Sequence, residues 1–129
     1  MSGNKKRNAP LTKVSDEMAV WSGMLAAELS SWPGVAAKPM FGMTAFYRGP
    51  AIFAALPKTR SLGSANAVAF KLVDVPAKIM TQLRRDERIQ ETMMAAAKWF
   101  AFEVESEEDL RGVLEWLDVA YEAVGKTRS

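Results

Sequence analysis

Apolar residues recur at three- and four-residue spacing through Met18, Trp21, Met24 or Leu25, and Leu29, which predicts an amphipathic helix. Ser15 supplies an N-cap, Asp16 and Glu17 place acids in the first turn, and Pro33-Gly34 stops the chain. From Val35 the period changes. Extended runs over Val35–Phe41, Met43–Tyr47 and Ala51–Leu56 are separated by Gly42 and by Arg48-Gly49-Pro50, the latter a hairpin signal. A polar loop from Lys58 to Asn66 leads to Ala67–Val73, where Val68, Phe70 and Leu72 share one side of a pleat. Asp74 is placed to cap a second helix, with Pro76 in its first turn, Ile79, Met80 and Leu83 as its buried stripe, and an end near Arg88. Thr92–Lys98 fits neither period. Trp99–Val104 alternates again, with Phe100, Phe102 and Val104 on one face. Ser106-Glu107-Glu108-Asp109 resembles a capping box and opens a last helix whose apolar positions hold a helical period to Gly125.

The order α-β-β-β-β-α-β-α predicts an α+β fold of two layers, one antiparallel sheet of about five strands with helices packed on one face. Residues 14–125 form one domain in this reading. Residues 1–13, basic and without periodicity, are expected to be a disordered tail, and 126–129 a second short tail.

Composition agrees with a globular domain: 129 residues, 49% hydrophobic and 25% charged. No apolar run approaches the ~20 residues that span a bilayer, and the basic start leads into no apolar stretch of a secretory signal. With no cysteine, a cytoplasmic location is the expectation and a membrane is not. Charge is uneven. Lys5, Lys6, Arg7 and Lys13 at one end, and Lys126 and Arg128 at the other, are opposed by no acid, whereas between them the 15 acids outnumber the remaining cations.

The stretch Lys38-Pro39-Met40-Phe41-Gly42-Met43, with Phe46-Tyr47 and Ile52-Phe53-Ala54 after it, resembles the N-terminal domain of TfoX-type competence regulators. Lys98-Trp99-Phe100-Ala101-Phe102-Glu103, followed by Ser106 to Tyr121, is similar to YjbR-like and small luciferase-like domains, and Trp32-Pro33-Gly34-Val35 to the opening of the latter. Together these matches span about residues 29–124. The resemblance implies a single antiparallel sheet covered by helices on one face. It implies no catalytic motif, since such domains are mostly of unknown function and some are described as DNA-binding. The histidines of the luciferase-like pattern are missing here.

Without His or Cys, a Ser-His-Asp triad, a Cys-His dyad and the usual zinc sites are excluded. No phosphate-cradling glycine motif is present. The expectation is a non-enzymatic protein with no catalytic residue, cofactor or metal. Glu103, Glu105, Glu107, Glu108 and Asp109 form the densest acid cluster, which a strand end and the first turn of a helix explain without a cation. Lys71, mid-strand and facing away from Phe70 and Leu72, points to the open side of the sheet.

Two surfaces remain. By strict alternation the sheet face away from the helices carries Met43, Tyr47, Phe53, Lys71 and Trp99, too apolar for a wet face, which points to a homodimer, another protein partner or an apolar ligand. A register shifted by one residue would exchange the two sets. The second surface is basic: Lys5, Lys6 and Arg7 in the tail with Lys78, Arg84, Arg85 and Arg88 on the second helix suit phosphate contacts with nucleic acid. Asp86, Glu87 and Glu91 are close enough in sequence to make that helix an ordinary mixed-charge exterior instead.

Overall fold

A computed structural model describes residues 11–127. The first helix, α1 (Asp16–Ser30), starts as its sequence predicts, with the Ser15 side chain accepting the backbone N–H of Met18. Five strands follow β1 (Leu11–Lys13) and α1: β2 (Val35–Met40), β3 (Met43–Arg48), β4 (Ala51–Pro57), β5 (Arg60–Leu62) and β6 (Ala67–Lys71). Then come α2 (Ala77–Arg85), β7 (Ile89–Glu91), a single 3₁₀ turn over Ala95–Ala97, β8 (Trp99–Glu103) and α3 (Asp109–Thr127).

The main sheet is six-stranded and wholly antiparallel, in the order β2-β3-β4-β6-β8-β7, while β1 and β5 form a separate two-stranded ribbon. The α+β class and antiparallel sheet match the expectation; about five strands was too few. Three strands of three residues each, β1, β5 and β7, are too short to show a period of their own and exist because a partner is at hand. Accordingly Leu11–Lys13 is a paired strand rather than disordered tail, and α3 runs through Gly125 to Thr127. The tail predicted over residues 1–10 and 128–129 lies outside the described residues. α2 ends at Arg85, earlier than Arg88, and Asp74 does not cap it; Pro76 holds the N-cap position without a side-chain bond.

All three helices pack on one side of the sheet. Met18, Leu25 and Leu29 of α1, Leu83 of α2, and Val113, Leu117, Ala120 and Val124 of α3 meet Phe46, Leu56, Val68, Phe70, Phe102 and Val104 in one core. Each large side chain removed from water there contributes about 1.5–3 kcal/mol. Among the described residues no helix is long and apolar enough to cross a membrane.

One strand breaks the alternation. Phe46 pairs with Ala54 but Tyr47 pairs with Ile52, so Phe53 is an extra residue on β4, a bulge. The bulge rotates Phe53 into the core, where it is fully buried against Trp32 and Tyr121 (ring centroids 6.5 and 5.5 Å away). Phe53 therefore does not belong to the open face, contrary to strict alternation.

Candidate functional site on the open sheet face

Cross-strand pairing carries one row of small residues over the open face: Ala45 opposite Ala55, Ala55 opposite Ala69, Ala69 opposite Ala101. With no side chain beyond Cβ, this row is a floor. On one bank lie Met40, Met43 and, from the ribbon, Leu62; on the other lie Ile52 and Trp99. Phe41, Met93 and Met94 form the lip. The result is a groove of about 430 Å³ whose lining residues are all hydrophobic. Its banks and lip differ sharply in exposure: Met43 and Trp99 retain 6% and 7% of their surface, Phe41 and Met93 81% and 73%.

The lip is held by backbone bonds. Phe41 and Gly42 form the β2–β3 turn with consecutive positive φ values of 49° and 82°, the pattern of a type I′ hairpin turn. Glycine takes such a φ without strain, but a bulky side chain does not. The Gly42 carbonyl accepts the backbone N–H groups of Lys58, Thr59 and Arg60 at 3.1, 2.8 and 3.0 Å, fastening the turn to the start of β5. A Cβ on Gly42 would fall 2.8 Å from Cγ of Arg60, so the approach itself also requires glycine. On the other side, Thr92 donates its hydroxyl to the Trp99 carbonyl and accepts the N–H of Met94, each at 3.0 Å, which sets Met93 and Met94 above Trp99.

Of the residues expected on this face, Met43 and Trp99 line the groove, while Tyr47 and Lys71 share its face without lining it. Lys71 pairs directly with Trp99, and Tyr47 lies under Lys38, whose Nζ is 5.1 Å from the ring centroid. The alternation of Met43 and Trp99 made them legible; Phe41, Met93 and Met94 sit in a turn and a loop, where no period operates.

The basic residues of α2 do not gather into one patch. Lys78 lines a depression with Asp74, Asp118 and Glu122, Arg84 another with Glu91 and Lys98, and Arg85 and Arg88 a third together with Asp86 and Glu87. Arg88 is engaged. Its Nε and Nη2 donate to the two carboxylate oxygens of Asp86 at 2.9 Å, and its guanidinium lies 4.7 Å from the Phe102 ring centroid. Those bonds hold the Asp86 carboxyl down at about 2. Beside Lys78, burial and the neighbouring Glu122 push the Asp118 carboxyl up. Lys5, Lys6 and Arg7 lie outside the described residues.

The acid cluster divides into separate tasks. Asp109 Oδ2 accepts the N–H groups of Glu105 and Ser106 at 2.8 and 3.3 Å, closing the start of α3, and Glu103 accepts the hydroxyl of Ser64. Among the described residues no three carboxylates converge on a point that would hold a metal ion. Comparison with models of known families, with curated proteins and with solved structures finds no match to this chain.

Proposed function

We propose that this domain is a binding module rather than an enzyme, and that the groove on its open sheet face takes the apolar side chains of a protein partner. The observation that carries this is the contrast between a hydrophobic groove and a firmly held lip exposing Phe41 and Met93. Sites for small molecules combine apolar walls with a few polar groups that orient the ligand, and among the lining side chains only the Trp99 indole N–H is polar. Four of the eight methionines line it, and their unbranched side chains adapt to a partner's contour at little cost. Kinship with TfoX- and YjbR-like domains belongs to the same proposal. Its support is the short motifs in the sequence together with a single main sheet backed by helices on one face.

The test is a titration with a leucine-containing amphipathic peptide, followed through the methionine methyl resonances. Met40, Met43, Met93 and Met94 are expected to shift, while Met18 and Met80, on the helical side, stay in place. Shifts at Met18 or Met80 without shifts at the groove would overturn the reading.

A further inference from the structure

The partner's chemistry is written in the charge around the groove, and the inference rests on the groove being a protein-binding site. Residues 29–73 contain no Asp or Glu, only Lys38, Arg48, Lys58, Arg60 and Lys71. Arg48 leaves this set for the helical side, donating to the Tyr121 carbonyl at 3.0 Å and lying over the Tyr121 ring. The other four remain about the groove. Lys38 stands opposite Ala45 at one end of the alanine row. Lys58 and Arg60 flank the lip through their N–H bonds to Gly42, and Lys71 adjoins Trp99 on the far bank. Lys13 joins them, paired across the ribbon directly with Arg60.

Like charges placed opposite one another on paired strands repel. Yet among the described residues the ion pairs are those of Arg48 and Arg88, and none of these five cations has a carboxylate partner in one. Glu103 shares the open face on the interior strand β8, opposite Ala67 and below the Leu62 bank; it is bonded to Ser64 and pairs with none of the five. An apolar groove flanked by five cations without a carboxylate partner is complementary to a ligand with an apolar stripe between carboxylates.

We infer that the groove's occupant is an acidic amphipathic segment of a protein partner, its apolar anchors on the alanine floor and its carboxylates against Lys13, Lys38, Lys58, Arg60 and Lys71. A second copy fits poorly, because a two-fold contact sets a surface against itself and would bring two sets of cations together. A flat anionic membrane would meet Phe41 and Met93 but not the banks, since Trp99 and Met43 lie beneath them. Single-stranded nucleic acid stacks its bases on exposed aromatic faces, and of the aromatic residues lining the groove Phe41 alone stands free while Trp99 is buried. Strand addition at the outer edge of β2 is opposed by Pro39, which has no N–H to offer.

The experiment compares two fluorescein-labelled helical peptides by anisotropy, with leucines at i, i+3, i+4 and i+7 in both and either glutamates or lysines at the flanking positions. The glutamate peptide is expected to bind about tenfold or more tightly at low salt, with the gap narrowing as salt rises. Replacing Lys38, Lys58 and Arg60 together by Glu should reverse the order, and Lys71→Glu alone should shrink the gap should the triple variant unfold. Phe41→Asp should weaken both peptides. Equal affinity for the two would overturn the inference while leaving the groove reading intact; failure of both to bind would overturn the two together. Preference for an oligothymidylate strand or a phosphatidylserine vesicle over the glutamate peptide would overturn the inference, as would a dimer that Phe41→Asp dissolves.

Discussion

Asp86 accepts the indole N–H of Trp116 at 3.0 Å, which ties the turn after α2 to the face of α3. The same carboxylate binds Arg88, so one acid at a helix end joins α2, β7 and α3. Four consequences of this and the other local arrangements can be measured.

The Asp86 carboxyl sits at about 2 in the folded protein against an ordinary value of 3.8, chiefly because Arg88 hydrogen-bonds its charged form. A depressed acid adds stability that is full above the unfolded value and is lost as pH falls through the folded one. Asp86→Asn should therefore cost about 1 kcal/mol near neutral pH, after allowing for solvent screening of a partly exposed group. Urea denaturation should show the gap between wild type and variant closing between about pH 4 and pH 2.

Gly112 lies in α3 where an added Cβ would fall 2.7 Å from Nη1 of Arg88. Gly to Ala inside a helix normally gains about 1 kcal/mol. In the native background the displaced guanidinium should cancel most of that gain, and in an Arg88→Ala background the gain should reappear. A double-mutant cycle from denaturation midpoints measures the difference. Simple additivity would show that Arg88 yields freely.

Phe53→Ala should destabilise by about 3–5 kcal/mol, as for a fully buried phenylalanine. Tyr47→Ala, half-exposed on the other face, should cost clearly less. Equal losses would mean that the bulge on β4 does not turn Phe53 inward.

Phe41 holds a positive φ with its ring in water, so Phe41→Asn should stabilise the fold by about 1 kcal/mol while weakening peptide binding. Gly42→Ala should do the opposite to stability, because both its φ of 82° and its contact with Arg60 forbid a side chain. Thermal unfolding and peptide anisotropy on the same samples separate the two effects.

How far the candidate site was legible depends on the residue. Met43, Tyr47 and Trp99 follow from a period of two and emerged on the expected face, and Lys71 with them. Phe53 did not, since a bulge inserts its extra residue without a local signal; both Phe53 and Ala54 are apolar, and either could have occupied the paired position. The lip residues Phe41, Met93 and Met94 lie outside regular strands and helices. A better signal was present and spatially mute: the absence of acids over residues 29–73 is plain in the chain, but only the sheet shows that Lys38 and Lys71 share the face of the groove and that Lys58 and Arg60 are bonded to the turn at its lip.

By itself the sequence determined the elements that depend on near neighbours: α1 with its Ser15 cap, the long strands, α3 and the turns at Gly42 and Gly49. It also determined the chemistry that is missing, because a chain without imidazole or thiol cannot acquire either by folding. Tertiary structure decided whatever needs a distant partner. The ribbon of β1 and β5, the edge strand β7, the inward turn of Phe53, the bond from Trp116 to Asp86 and the gathering of cations about the groove all join residues far apart in the chain. Backbone pairing and packing energies of that kind are set by what stands opposite, and no local period encodes what that will be.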